Sequence, residues 1–69
     1  MIPKALRHLI EEAYFYRTET AAELAAMFSQ YPIAPRRLHA RDIERIWQAA
    51  RHKGRLVGSR DDWKRLLSA

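Results

Sequence analysis

The chain contains no cysteine, so neither a disulfide nor a thiolate metal site is available to staple it. Glycine-rich phosphate loops are excluded as well, because Gly54 and Gly58 are the only glycines. No apolar run approaches the roughly 18–20 residues needed to cross a bilayer. Glu11 and Glu12 interrupt the N-terminal segment where a secretory signal needs an unbroken apolar stretch. These absences lead to the expectation of a soluble, cytoplasmic protein without membrane association. Catalytic constellations are missing too. His8, His39 and His52 lie in separate segments without metal-ligand spacing. Glu11–Glu12 and Asp61–Asp62 are adjacent pairs whose side chains diverge on a helix, and Ser29, Ser59 and Ser68 have no evident base. The expectation is a protein that is not an enzyme and carries neither cofactor nor metal.

Acid is outnumbered by base, but only in one half of the chain. Residues 1–30 carry three basic and four acidic side chains, whereas residues 31–69 carry ten basic and four acidic. The net charge of +5 therefore belongs to the C-terminal half. A surface of one sign concentrates polyanions by long-range attraction. At 69 residues the chain is expected to form a single helical domain, 1–69, with a thin core.

Apolar periodicity and capping signals divide that domain into helices. Ile2, Leu6, Leu9, Ile10, Ala13 and Tyr16 recur at three- and four-residue steps, which predicts a helix over Pro3–Arg17 with these residues facing inward. Phe15 falls nearer the polar side and is assigned either to packing beneath a later segment or to an exposed contact surface. Thr20 and Glu23 have capping-box spacing and start a second helix over about 21–29, with Leu24, Ala25 and Phe28 inward. Pro32 and Pro35 mark an irregular connection, with Ile33 and Leu38 expected to anchor it to the core. A third helix is predicted over about 40–52, closed by Gly54 as a left-handed cap. Residues 55–58 fit a turn or one strand of a minimal wing, and Ser59 caps a last helix over about 60–67 that would bury Trp63, Leu66 and Leu67. The predicted fold is all-α, a compact bundle of three to four helices.

On a wheel of about 100° per residue, Ile43, Ile46, Trp47 and Ala50 gather on one side of the third helix. Arg41, Arg45, Gln48 and His52 occupy the opposite arc, and no acid falls among them. Arginine reads guanine and glutamine reads adenine through paired hydrogen bonds, while further cations contact phosphate. Arg36, Arg37, Arg51, Lys53 and Arg55 extend positive charge to both ends of this helix. A polar arc with arginine is also what any solvated helix face needs; faces meant only for solubility usually mix both signs.

Thr20–Phe28 resembles the first helix of bacterial and phage helix-turn-helix proteins, and Ile43 with Ile46 resembles the paired apolar positions of their recognition helix. The stretch 54–67 resembles, at a distance, the wing and closing helix of excisionase-like proteins. Ile43 lies 19 positions after Leu24, about eight more than the compact motif has. The resemblance implies a small DNA-binding module, a transcriptional regulator or a mobile-element accessory protein, with duplex DNA as partner. The alternative is a protein-interaction module docking on an acidic partner, with Phe15, Met27 and Tyr31 joining the arginines on one patch. RNA is a third candidate ligand, and Tyr31 beside Arg36 and Arg37 is the one ring placed to stack on an unpaired base. Homodimerisation is compatible with the two main readings, with the first helix as the candidate face.

Overall fold

The computed structural model describes residues 1–69 as four helices: α1 (Lys4–Tyr16), α2 (Ala21–Ser29), α3 (Ala40–His52) and α4 (Arg60–Ser68). There is no strand, and no helix is long and apolar enough to cross a membrane. Helix α1 is the hub. It touches the other three, α2 and α3 pack on one another, and α4 packs along α1, with its Arg60 side chain reaching Trp47 of α3.

The helix limits follow from local chemistry. Pro3 is the N-cap of α1, and its carbonyl accepts the Arg7 N–H at 2.9 Å. At α2 the Thr20 hydroxyl accepts the Glu23 N–H at 3.1 Å while the Glu23 carboxylate accepts the Thr20 N–H at 2.8 Å, so two otherwise orphaned donors are satisfied. Helix α3 ends in a Schellman motif. Arg55 N–H donates to the Ala50 carbonyl at 2.9 Å, Gly54 N–H donates to the Arg51 carbonyl at 3.0 Å, and Gly54 takes φ of 77°. Ser59 caps α4 by accepting the Asp62 N–H at 3.1 Å. The Asp62 carboxylate does not complete a box; it pairs with Arg65 at 2.5 Å.

The core is formed by Leu6, Ile10, Ala13 and Tyr14 of α1, Leu24, Ala25 and Phe28 of α2, Ile43, Trp47 and Ala50 of α3, and the loop residues Leu38 and Leu56. The buried arc of α1 is rotated from the one predicted. Tyr14 is buried, whereas Tyr16 is 72% exposed and Leu9 37% exposed. The reason is α4, which covers α1 on a second side and draws Tyr14 and Phe15 inward. Phe15 meets Trp63 edge-on at 4.9 Å, and the Tyr14 hydroxyl donates to the Gly58 carbonyl at 2.7 Å. Of the two assignments open for Phe15, the packed one is correct.

Three further expectations are corrected. Ile33 does not anchor the connection and is 43% exposed. Ala34 N–H closes a tight turn on the Tyr31 carbonyl at 2.9 Å, which puts Pro32 and Ile33 at the corner positions and turns Ile33 outward. The anchors are Leu38 and the Ser29 hydroxyl, which donates to the Ala25 carbonyl at 2.6 Å and accepts the Leu38 N–H at 2.7 Å. Leu66 and Leu67 stay 67% and 44% exposed, because α4 packs along one helix only, α1, and Trp63 supplies the contact. Of the two forms open for residues 55–58, the wing strand is not formed; these residues bend irregularly after the turn at Lys53 and Gly54. Their outward carbonyls are taken by side chains: Trp63 Nε1 donates to Val57 at 2.6 Å, beside the Tyr14–Gly58 bond. Gly58 is required there, since its φ is 77° and an added Cβ would lie 2.9 Å from Trp63 Nε1.

Arg60 joins the two ends of the chain. Its guanidinium donates to the carbonyls of Tyr14 at 3.1 Å, Arg17, and Glu19 at 2.7 Å. The last carbonyls of a helix lack intrahelical donors and form its negative pole, so a cation there satisfies both needs. The same guanidinium lies 5.1 Å from the centre of the Trp47 ring, and burial lowers its pKa from the ordinary arginine value.

Candidate nucleic-acid interface

Helix α3 faces the core with Ile43, Trp47 and Ala50 and keeps Ile46 half-buried. Trp47 holds the helix in place by donating its indole N–H to the Ile10 carbonyl at 2.8 Å and by meeting Tyr14 edge-on at 5.5 Å. That orientation leaves Arg41, Arg45, Gln48 and His52 exposed along the outward side. Gln48, His52, Arg45 and Lys53 border one shallow depression floored by Ala49. None of Arg41, Arg45 or Lys53 has a carboxylate within ion-pair distance.

The flanking cations divide into different environments. Arg36 holds Asp42 with both guanidinium nitrogens, at 3.0 and 3.2 Å. Asp42 also accepts the His39 N–H at 2.8 Å, so this pair fastens the connection to the start of α3. Arg37 is exposed and lies beside Ala26, Ser29 and Gln30 at the end of α2. Arg51 turns away from the outward row and shares a depression with Glu44, Trp47, Gln48 and Arg60. Arg55 reaches Glu11 at 3.4 Å. Arg7 was not among the residues singled out from the sequence. It lies on the polar side of α1, and only the crossing of α1 over α3 brings it beside Arg45, Lys53 and Arg55.

Most of the acids are engaged elsewhere, whereas Glu44, on the flank of the α3 row, and Asp61 are exposed without ion-pair partners. Besides Asp42, Glu19 pairs with Arg17 at 2.5 Å, Glu12 faces His8 at 3.0 Å, Glu23 serves its cap, and Asp62 holds Arg65. The Arg36 guanidinium and the His39 N–H hold the Asp42 carboxyl down at about 2, and the Arg17 guanidinium does the same for Glu19. Both pKa values are lowered by folding, so the unfolded chain binds more protons than the folded one between the two sets of values. Stability from these carboxylates is complete above their ordinary values of 3.8 and 4.5 and is lost as the pH falls toward about 2. Urea-denaturation midpoints are expected to fall across that window, and Asp42→Asn is expected to lower the midpoint at neutral pH while flattening the fall.

No family model, curated protein or solved structure matches this chain.

Aromatic groups form a second, separate surface. Leu9, Ala13 and Tyr16 of α1 face Met27, Phe28 and Tyr31 across an apolar groove with Glu12 and Arg17 on its rim. Tyr31 meets Phe28 edge-on at 5.2 Å and shares this groove with Arg17, not with Arg36 or Arg37. Phe15 lies against Trp63, outside that groove, so Phe15, Met27 and Tyr31 do not form one patch.

Proposed function

We propose that this chain is a small DNA-binding module, a transcriptional regulator or a mobile-element accessory protein, that lays α3 in the major groove of duplex DNA. One observation carries the proposal: Arg41, Arg45, Gln48 and His52 project from one side of α3 with no acid among them and no carboxylate paired to either arginine, while Asp42 and Glu11 are held by Arg36 and Arg55, and Glu44 sits on the flank of the row. Charge left unpaired on a rigid helix is preorganised for an anionic partner, and arginine and glutamine on the same row can also read base edges. Helix α2 would act as the supporting helix, joined to α3 by residues 30–39 in place of the three- to four-residue turn of a compact helix-turn-helix.

Titration of labelled duplex DNA, single-stranded DNA and structured RNA, followed by fluorescence anisotropy, tests this. Duplex DNA is expected to bind most tightly, with log K falling by about 0.9 per neutralised phosphate for each tenfold rise in salt. Absence of duplex binding at low salt would overturn the proposal, and preference for RNA would replace the ligand.

A second reading, contact with another protein, is favoured by the apolar groove between α1 and α2, where Tyr16 is 72% exposed. A second copy docked there would give a dimer presenting two α3 faces. A stoichiometric protein partner that survives nuclease treatment would favour docking on an unrelated protein instead.

A further inference from the structure

The groove between α1 and the C-terminal end of α3 gathers cations from three parts of the chain. Arg7 comes from α1, Arg45 and Lys53 from α3 and its cap, and Arg55 from the bend that follows. Ile46, Ala49 and Ala50 form the floor, and the only acid is Glu11. Four positive charges therefore share this groove with one carboxylate. Arg7, Arg45 and Lys53 have no ion-pair partner, and the Arg55–Glu11 contact is long at 3.4 Å. Like charges gathered around an apolar floor repel one another, and an anion seated among them relieves that repulsion.

We propose that this groove is a phosphodiester subsite that grips one strand of the DNA backbone beside α3. The inference rests on the α3 reading above and adds to it a contact made by α1. Its ligand is a backbone phosphate rather than a free anion because Arg45 and Lys53 border both this groove and the outward depression containing Gln48 and His52. The two surfaces are continuous, and a helix in the major groove has a phosphate strand along each side. Arg7 and Arg55 flank α3 where one such strand would run. Glu11 orients Arg55 in the free protein and opposes the incoming phosphate.

The test uses substitutions of opposite expected sign. Arg7→Gln is expected to weaken binding about 5-fold, equally on two duplexes of unrelated sequence, and to reduce the salt slope by about 1. Glu11→Gln is expected to tighten binding on both duplexes. Gain and loss from neighbouring positions cannot both arise from misfolding, and thermal melts of each variant verify the fold. If the intact chain binds duplex DNA but Arg7→Gln keeps its affinity and slope, the subsite is overturned and the α3 reading stands. If the intact chain binds no duplex at all, both are overturned.

Discussion

Replacing Arg41 and Arg45 together by alanine is expected to weaken duplex DNA binding by about 100-fold, a loss of about 3 kcal/mol. A well-placed bidentate arginine contributes about 1–3 kcal/mol of discrimination, and these two lie one turn apart on the same exposed row. Neither side chain has an internal ion pair, so their removal strands no acid and should change stability by no more than about 0.5 kcal/mol each. The informative comparison is Arg65→Ala, which also removes positive charge but from α4, where Arg65 is paired with Asp62. If attraction depended on net charge alone, this substitution would weaken binding as much per charge removed. If α3 makes the contact, Arg65→Ala leaves affinity near that of the parent, and Gln48→Ala changes the preference between duplexes more than the average affinity. Unchanged binding in the double variant would end the proposal for α3.

Replacing Trp47 by alanine is expected to unfold most of the protein at room temperature. Trp47 is 9% exposed and is where three elements meet: its indole N–H bonds to Ile10 of α1, its ring packs on Tyr14, and Arg60 of α4 covers it. Large-to-small replacement of a core aromatic costs about 3–5 kcal/mol. A domain of this size without staples rarely has more than about 3–5 kcal/mol in all. The two magnitudes nearly cancel, so circular dichroism should show a largely lost helical signal and no cooperative melt. Trp47→Phe keeps a ring against Tyr14 and gives up the hydrogen bond, a loss of about 1 kcal/mol that lowers Tm by about 4–8 °C. A native-like melting temperature in Trp47→Ala would show that α1, α3 and α4 are held together elsewhere. Because Trp47 points away from the outward row, Trp47→Phe should leave DNA affinity unchanged once both proteins are folded.

The division of labour among charges links the scaffold to the surface. Asp42, Glu19, Glu23 and Asp62 each perform a local structural task, as a helix cap, a loop fastening or an ion pair. The cations of α3 have no ion-pair partner, and the remaining acid of that helix, Glu44, lies on the flank of their row and pairs with none of them. A protein whose outer face needed only to be wet would gain from placing acids among those arginines. Here the acid-free row lies on a helix fixed to the core by Ile43, Trp47 and Ala50.

The helices and their polarity were legible in the sequence because the signals are local. Thr20 with Glu23, Ser59 before Asp62, and Gly54 after His52 act within one turn of chain, and α2, α3 and α4 begin or end where these residues require. The outward row of α3 was legible for the same reason, since 3.6 residues per turn determine which side chains share a face. What each face would meet depended on elements distant in sequence. Tyr14 rather than Tyr16 is buried because α4 returns to α1, and Leu66 and Leu67 stay exposed because no second helix packs along α4. Arg60, counted by sequence among the cations of the basic half, is held by carbonyls more than forty positions earlier. Arg7, on the acidic half of the chain, joins the basic groove only because α1 crosses α3. Local rules reach about four residues along a helix, so they set each helix and its polar side; only packing decides which sides are covered and which distant charges become neighbours.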